Sequence, residues 1–246
     1  MADIDGAVRA LLQARRSGVQ MKPPFAMPDR AAVYAIQDGV AKATGPVAGW
    51  KVGARTPTAE PNPAPLLAGA LVKSPAKFDG KAMHMIGVEI EISFHIAKDI
   101  APRAEPVGRD EALAAVGDAF VGMEVVDTRL ADFKSADPEW LLADNQMNHA
   151  LVVGDSIRDW KRLDWPNLRV KLVIDGKTEV EQTGGLGAVD PVRPLAWMID
   201  HAVRQRGGIR KGQAITTGSW TGLRYYLPGT KARGEFASLG AVDASF

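Results

Sequence analysis

The chain has no cysteine among its 246 residues. Disulfides, thiolate nucleophiles and zinc–thiolate centres are therefore excluded. It also lacks a dominant sign of charge: 30 Lys+Arg stand against 29 Asp+Glu, a formal net charge of +1. That balance gives no broad basic field for nucleic acid and no acidic tail. The basic stretch from Arg204 to Lys211 reads as a helix C-terminus and the turn after it. No apolar run approaches the length of a membrane span. Met1-Ala2-Asp3-Ile4-Asp5 is not a basic leader followed by an apolar run, so no secretory signal is read there. A cytoplasmic protein engaging neither membrane nor nucleic acid is the expectation.

Other familiar signals are missing. His84, His95, His149 and His201 lack metal-ligand spacing. Thr183-Gly184-Gly185-Leu186-Gly187 looks like a phosphate loop but no Lys-Ser/Thr follows it. No nucleophile-elbow motif is present, so a Ser-His-Asp triad cannot be argued.

What the chain does have is glutamate inside apolar runs. Gly87-Val88-Glu89-Ile90-Glu91-Ile92-Ser93-Phe94 is one run, and Val121-Gly122-Met123-Glu124-Val125-Val126 is another. In a strand, side chains alternate between faces, so Glu89 and Glu91 point the same way while Val88, Ile90, Ile92 and Phe94 point the other. Paired carboxylates on an apolar strand repel each other and resist burial. Either that face is solvated or a positive charge sits between them. Glu124 could supply a third oxygen, and an all-oxygen set suits a hard cation, Mg²⁺ or Mn²⁺. The plain alternative is a surface strand carrying ordinary glutamates.

The spacing predicts amphipathic helices over Ile4–Arg16 and Ala31–Ala43, the second with Asp29 as N-cap. A short strand, Gly49-Trp50-Lys51-Val52-Gly53, follows. Thr56 to Pro65 carries four prolines and reads as a loop and a candidate lid. Strands are predicted at Val88–Ile96, Ala119–Val126, Ala150–Val153, Arg169–Ile174 and Ala214–Thr217, with Asp175-Gly176 as a hairpin turn. A last helix spans Pro194 to Gln205 and ends at Gly207-Gly208. The division expected is a helical N-terminal lobe and loop over 1–75 and a β-rich metal-binding body over 76–246, which can also be counted as one domain.

Five segments in order resemble the fumarylacetoacetate hydrolase superfamily, in its 2-keto-4-pentenoate hydratase / 4-oxalocrotonate decarboxylase branch. They are Gly49–Gly53, Glu89-Ile90-Glu91, Met123–Arg129, Ala143-Asp144-Asn145 and Thr217-Gly218-Ser219. The stretch from Gly184 to Ala202 also looks familial. The resemblance implies an α+β fold: a mixed, rolled β-structure with flanking helices and a small helical N-terminal lobe, assembled as a homo-oligomer. It implies that Glu89, Glu91 and Glu124 bind the metal, and that a small 2-keto acid chelates it. The metal then acts as a Lewis acid toward an enolate, which can lead to hydration, decarboxylation or C–C hydrolysis.

Under that resemblance Lys51 is the candidate for proton transfer, against the alternative of a surface lysine lying along Trp50. Asp144 and Asn145 are candidates to orient water or substrate, or else a helix terminus. Thr217, Gly218 and Ser219 are candidates for the substrate carboxylate. Asp127 and Arg129 are expected to pair and brace Glu124. Pro61 to Gly69 departs from the family pattern, which implies a reshaped pocket. The reading placed first is a hydratase of a short 2-hydroxydienoate in aromatic catabolism. A 4-oxalocrotonate-type decarboxylase or a C–C hydrolase is the alternative, and a non-catalytic partner subunit a third.

Overall fold

A computed structural model describes residues 2–246; Met1 lies outside the described residues. The long helices start and stop where the sequence satisfies backbone groups. In α1 (Ile4–Ser17) Asp3 Oδ1 accepts from Gly6 N at 2.8 Å, and Gly18 leaves the helix at φ 66°. In α2 (Arg30–Thr44) Asp29 Oδ1 accepts from Ala32 N at 2.8 Å, as expected for that N-cap. Two short helices follow, α3 (Arg109–Ala114) and α4 (Pro138–Ala143). In α5 (Val192–Gln205) Asp190 Oδ1 accepts from Val192 N, and Gly207 and Gly208, both at positive φ, turn the chain away.

Two mixed sheets form the body, giving the expected α+β architecture of rolled β-structure with flanking helices. The strands are β1 (Gly49–Gly53), β2 (Asn62–Leu66), β3 (Leu71–Lys73), β4 (Ala76–Lys77), β5 (Ile86–Ile96), β6 (Val116–Val126) and β7 (Asn148–Ile157). They continue as β8 (Arg169–Ile174), β9 (Lys177–Thr183), β10 (Ala214–Ser219), β11 (Arg224–Tyr226), β12 (Lys231–Phe236) and β13 (Gly240–Ser245). The larger sheet runs β2-β1-β10-β5-β6-β7-β3, with β11 also on β5; the smaller runs β4-β13-β12-β8-β9. Asp175 and Gly176, at φ 49° and 80°, make the two-residue turn between β8 and β9.

The proline-rich segment read as a loop is in part a strand. Asn62–Leu66 pairs antiparallel with β1 at the end of the larger sheet. The carbonyl of Leu66 accepts from Ala48 N, so by alternation Leu66, Ala64 and Asn62 turn their backbone groups toward β1. Pro63 and Pro65 then turn toward the open edge, where a missing N–H costs no ladder bond. That edge is covered: the fully buried Gln37 of α2 donates Nε2 to Pro63 O and to Leu142 O. Counting prolines finds a loop; only their two-residue spacing on an edge explains the strand.

β5 is buried on both faces, so the solvated-strand alternative does not apply. Val88, Ile90, Ile92 and Phe94 enter the main apolar core beneath the smaller sheet. Ile90 lies so close to Gly234 of β12 that a Cβ there would meet Ile90 Cδ1 at 2.4 Å. The glycine is what lets the two sheets approach. A separate apolar cluster joins α1, α2 and α4 through Leu11, Ile36 and Trp140. Among the described residues no helix is long and apolar enough to cross a membrane.

Gly234→Ala is expected to overpack this contact and lower stability by about 1–3 kcal/mol. Adding Ile90→Val should recover part of the loss, read as denaturant midpoints of the two variants against the parent.

Candidate active site

β5 and β6 bring the three glutamates together by register. Glu89 pairs directly with Glu124 across the strands, and Glu91 lies two residues along the same face of β5. One carboxylate oxygen from each lies within 4.8 Å of the others. Glu91 is 2% exposed and Glu124 1%, so water cannot dissipate the repulsion. Burial, then the charge of Glu124, pushes the Glu89 carboxyl up to about 7 against an ordinary 4.5. Burial, then Glu124 and Glu89, pushes Glu91 up to about 8.

One cation faces this group. Lys51, on the same face of β1, is 8% exposed and is ion-paired with Glu124 Oε1 through Nζ. Its Nζ also donates to Gln146 O at 3.2 Å. Asn148 Nδ2 donates to the same Glu124 oxygen at 2.9 Å. The lysine is thus buried and directed at the cluster, not laid along Trp50 on the surface. One ammonium against three carboxylates leaves a negative excess, and the donors are all oxygen. That set fits a hard divalent cation.

Glu91 is oriented by a break in β10. Thr216 pairs with Ser93 but Ser219 pairs with Glu91, so one extra residue sits on β10 between them. The bulge, with Gly218 at φ 107°, turns Gly218 N toward Glu91 Oε2 at 2.9 Å, and the Thr216 hydroxyl donates to that same oxygen. Thr216 was not anticipated; its parity with Lys51 on the neighbouring strand was the available signal. Gly218 and Ser219 line the cavity, whereas Thr217 turns away and donates to Ile92 O.

The cavity above the cluster measures about 900 Å³. Arg30 and Arg55 stand on its wall with Glu60 and Glu139, Arg30 paired with Glu139 at 2.8 Å, and Leu186 and Gly187 close one side. The glycine run 184–187 that resembled a phosphate loop therefore forms wall. A Cβ on Gly187 would meet Arg55 O at 2.8 Å. The candidate lid is tethered, since Arg193 Nη2 donates to Ala59 O at 2.6 Å.

Asp144 and Asn145 do not line this cavity. Asp144 is fully buried; its Oδ1 accepts from Arg129 Nε at 2.6 Å and Arg15 Nη2 at 3.1 Å. The expected Asp127–Arg129 pair is corrected by this arrangement. Asp127 instead accepts at Oδ1 from the backbone N–H groups of His84, Met85 and Thr128. Sequence proximity suggested the wrong partner, because the chain after β6 turns the two side chains to different elements. Asn145, Gln146 and Met147 all adopt positive φ, at 53°, 51° and 60°. This left-handed run carries the Gln146 carbonyl to Lys51. His95, on the glutamate face by parity, pairs with Asp118 and stacks on Phe120, a structural role.

No protein-family profile matches the chain. Over 160 residues, 64% of its length, it is 31% identical to a curated 4-oxalocrotonate decarboxylase from Pseudomonas sp, and it spans 59% of that relative. The 4-oxalocrotonate decarboxylase of Pseudomonas putida G7, complexed with magnesium and adipate, superposes with a TM-score of 0.82 at 21% identity. That match covers 99% of this chain and 97% of the other. Fumarylpyruvate hydrolase from Pseudomonas aeruginosa, in complex with Mn²⁺ and pyruvate, gives a TM-score of 0.57 at 15% identity over 80% of this chain and 87% of that one.

Two outcomes follow from the charges. Glu89 and Glu91 hold protons more tightly folded than unfolded, so stability is greatest below the unfolded value near 4.5 and is lost as pH rises toward about 7 and 8. Denaturant midpoints of metal-free protein should fall between pH 5 and pH 8.5, and a divalent cation should reverse the fall. Asp144→Ala strands two buried guanidiniums and should cost about 3–5 kcal/mol in the same assay.

Proposed function

We propose that this chain, which belongs to the fumarylacetoacetate hydrolase superfamily on its 4-oxalocrotonate decarboxylase/hydratase branch, is a metal-dependent lyase. Its reaction is release of CO₂ from a 2-oxo acid carrying a second carboxylate, of the 4-oxalocrotonate type. The observation that carries this reading is the buried cluster of Glu89, Glu91 and Glu124 with Lys51 against it, at the floor of a cavity with arginines on its wall. Glu89, Glu91 and Glu124 would hold Mg²⁺ or Mn²⁺, which would supply Lewis-acid charge toward the 2-oxo oxygen.

The protein's own groups do the rest. Ser219, on the cavity wall beside the cluster, offers a hydroxyl to the 2-oxo acid end. Thr216 and Gly218 N–H hold Glu91 in place. In the reaction the bond to the distal carboxylate breaks, and its electron pair moves through the conjugated alkene toward the 2-oxo oxygen. Lys51 donates the proton that neutralises the charge there. Arg55, on the cavity wall, is a candidate partner for the distal carboxylate, whereas Arg30 is paired with Glu139. Asp144 acts at a distance, fixing the segment that presents Gln146 O to Lys51.

Hydration, the outcome placed first from sequence, would use the same groups with water as the second reactant. CO₂ release is preferred because the 31%-identical relative is a decarboxylase. An assay of a 2-oxo-hexenedioate with Mg²⁺ or Mn²⁺ should give CO₂ in stoichiometric amount. A hydroxylated keto acid without CO₂ would make hydration the activity. Metal binding with no turnover would leave a partner subunit.

Glu91→Gln is expected to abolish turnover, by removing one charge from the metal shell. Lys51→Ala should lower kcat by roughly 10²–10⁴-fold. It should also bind metal at least as tightly as wild type, because the cluster then has no internal cation. Full activity in Lys51→Ala would remove Lys51 from the mechanism.

A further inference from the structure

A second cavity, of about 460 Å³, lies behind Glu124 and shares no lining residue with the first. Its walls come from the end of α1, the β2–β3 connection, and the residues flanking β5, β6 and β7. Asn148 is the partition: it lines this cavity and donates to Glu124 Oε1 at 2.9 Å. We infer that this second cavity is a binding site for a small oxyanion, a carboxylate, bicarbonate or phosphate group held by Arg15 and Arg129.

Two guanidiniums and two carboxylates, Asp144 and Asp127, meet around it, and the guanidinium N–H groups outnumber their acceptors. Arg15 and Arg129 converge on one carboxylate, Asp144, whose Oδ1 accepts from both and whose Oδ2 accepts from Arg129 N. Arg129 is 5% exposed and commits Nε and Nη2 to Asp144, leaving Nη1 for a further acceptor. Arg15 Nε is buried and has no hydrogen-bond partner among the described residues. Burial, then the neighbouring Arg129, holds the Arg15 guanidinium down at about 10, against Asp144 and Asp127, which raise it.

The other titratable groups facing the cavity are Asp127, His84 and His149. Asp127 has three backbone donors on Oδ1, and its Oδ2 stands 3.6 Å from His84 Nδ1. Its charge also acts on Arg15 and, with Asp144, offsets the two guanidiniums. His84 Nε2 lies 2.8 Å from Gly18 O, and the His149 ring packs edge-on against Phe78. What the two carboxylates leave unfilled is N–H donors, Arg15 Nε and Arg129 Nη1, in planar forks suited to an oxyanion. This inference does not depend on the reaction proposed for the first cavity.

The test is calorimetric titration of metal-free, dialysed protein with inorganic phosphate and, separately, with bicarbonate. Wild type should bind at least one of these anions at a single saturable site per chain, and the stronger of the two identifies the preferred shape. Arg15→Gln should weaken binding roughly tenfold or more. Ala68→Trp, at an exposed position on the cavity wall, should block it while leaving both arginines intact. Arg55→Gln, in the first cavity, should leave binding unchanged. Absence of saturable binding for both anions would overturn the inference. So would binding lost in Arg55→Gln but kept in Ala68→Trp. If Arg15→Gln fails to fold by circular dichroism, Ala68→Trp alone decides.

Discussion

Three carboxylates converge on a buried point that a single ammonium cannot neutralise, and much of the surrounding structure answers to that constraint. The register of β5 against β6 sets Glu89 opposite Glu124, a like-charge pair that is unfavourable in any sheet and more so in a dry one. The core packed on the other side of β5 prevents the strand from rolling its glutamates into water. Proton uptake by Glu89 and Glu91 relieves the excess in the metal-free protein, and a divalent cation relieves it more completely. The same cluster is therefore a stability liability without metal and, on the proposed reading, the site that would hold it.

Two irregular backbone segments position the groups around that point. The β10 bulge supplies Glu91 with a hydroxyl and an N–H on one oxygen, which leaves the other oxygen directed elsewhere. The left-handed run of Asn145, Gln146 and Met147 costs about 1–3 kcal/mol for each residue held there. It persists because Asp144, anchored to Arg129 and Arg15, fixes its start and β7 fixes its end. The buried ion pair thus acts on the site through backbone geometry, without entering the cavity.

The periodicity of the sequence exposed the parts governed by alternation. Glu89, Glu91 and the apolar residues between them could be sorted onto faces from spacing alone, and the caps Asp29 and Gly207 marked helix ends. Five ordered segments carried the resemblance to the 2-keto-4-pentenoate hydratase / 4-oxalocrotonate decarboxylase branch, and they did not separate hydration from CO₂ release. Alternation also separates Thr216, on the face of Lys51 and Glu91, from Thr217, which donates to Ile92 O. What alternation cannot see is the bulge after them, which sets Ser219 opposite Glu91 and turns Gly218 N to its carboxylate. Long-range partner choice was equally hidden. Nothing local says that Arg129 prefers Asp144, fifteen residues on, to Asp127 two residues back. Pro63 and Pro65 misled because a proline count ignores which side of an edge strand lacks a neighbour.

The account stands on the glutamates forming one metal site that also takes a 2-oxo acid. Calorimetric titration of Mg²⁺ or Mn²⁺ into wild type and Glu89→Ala, each with and without oxalate as a mimic, tests it most directly. The account predicts one cation per chain in wild type, tightened by oxalate, with both binding and tightening lost in Glu89→Ala. Absence of binding in wild type, or equal binding in the variant, would contradict it.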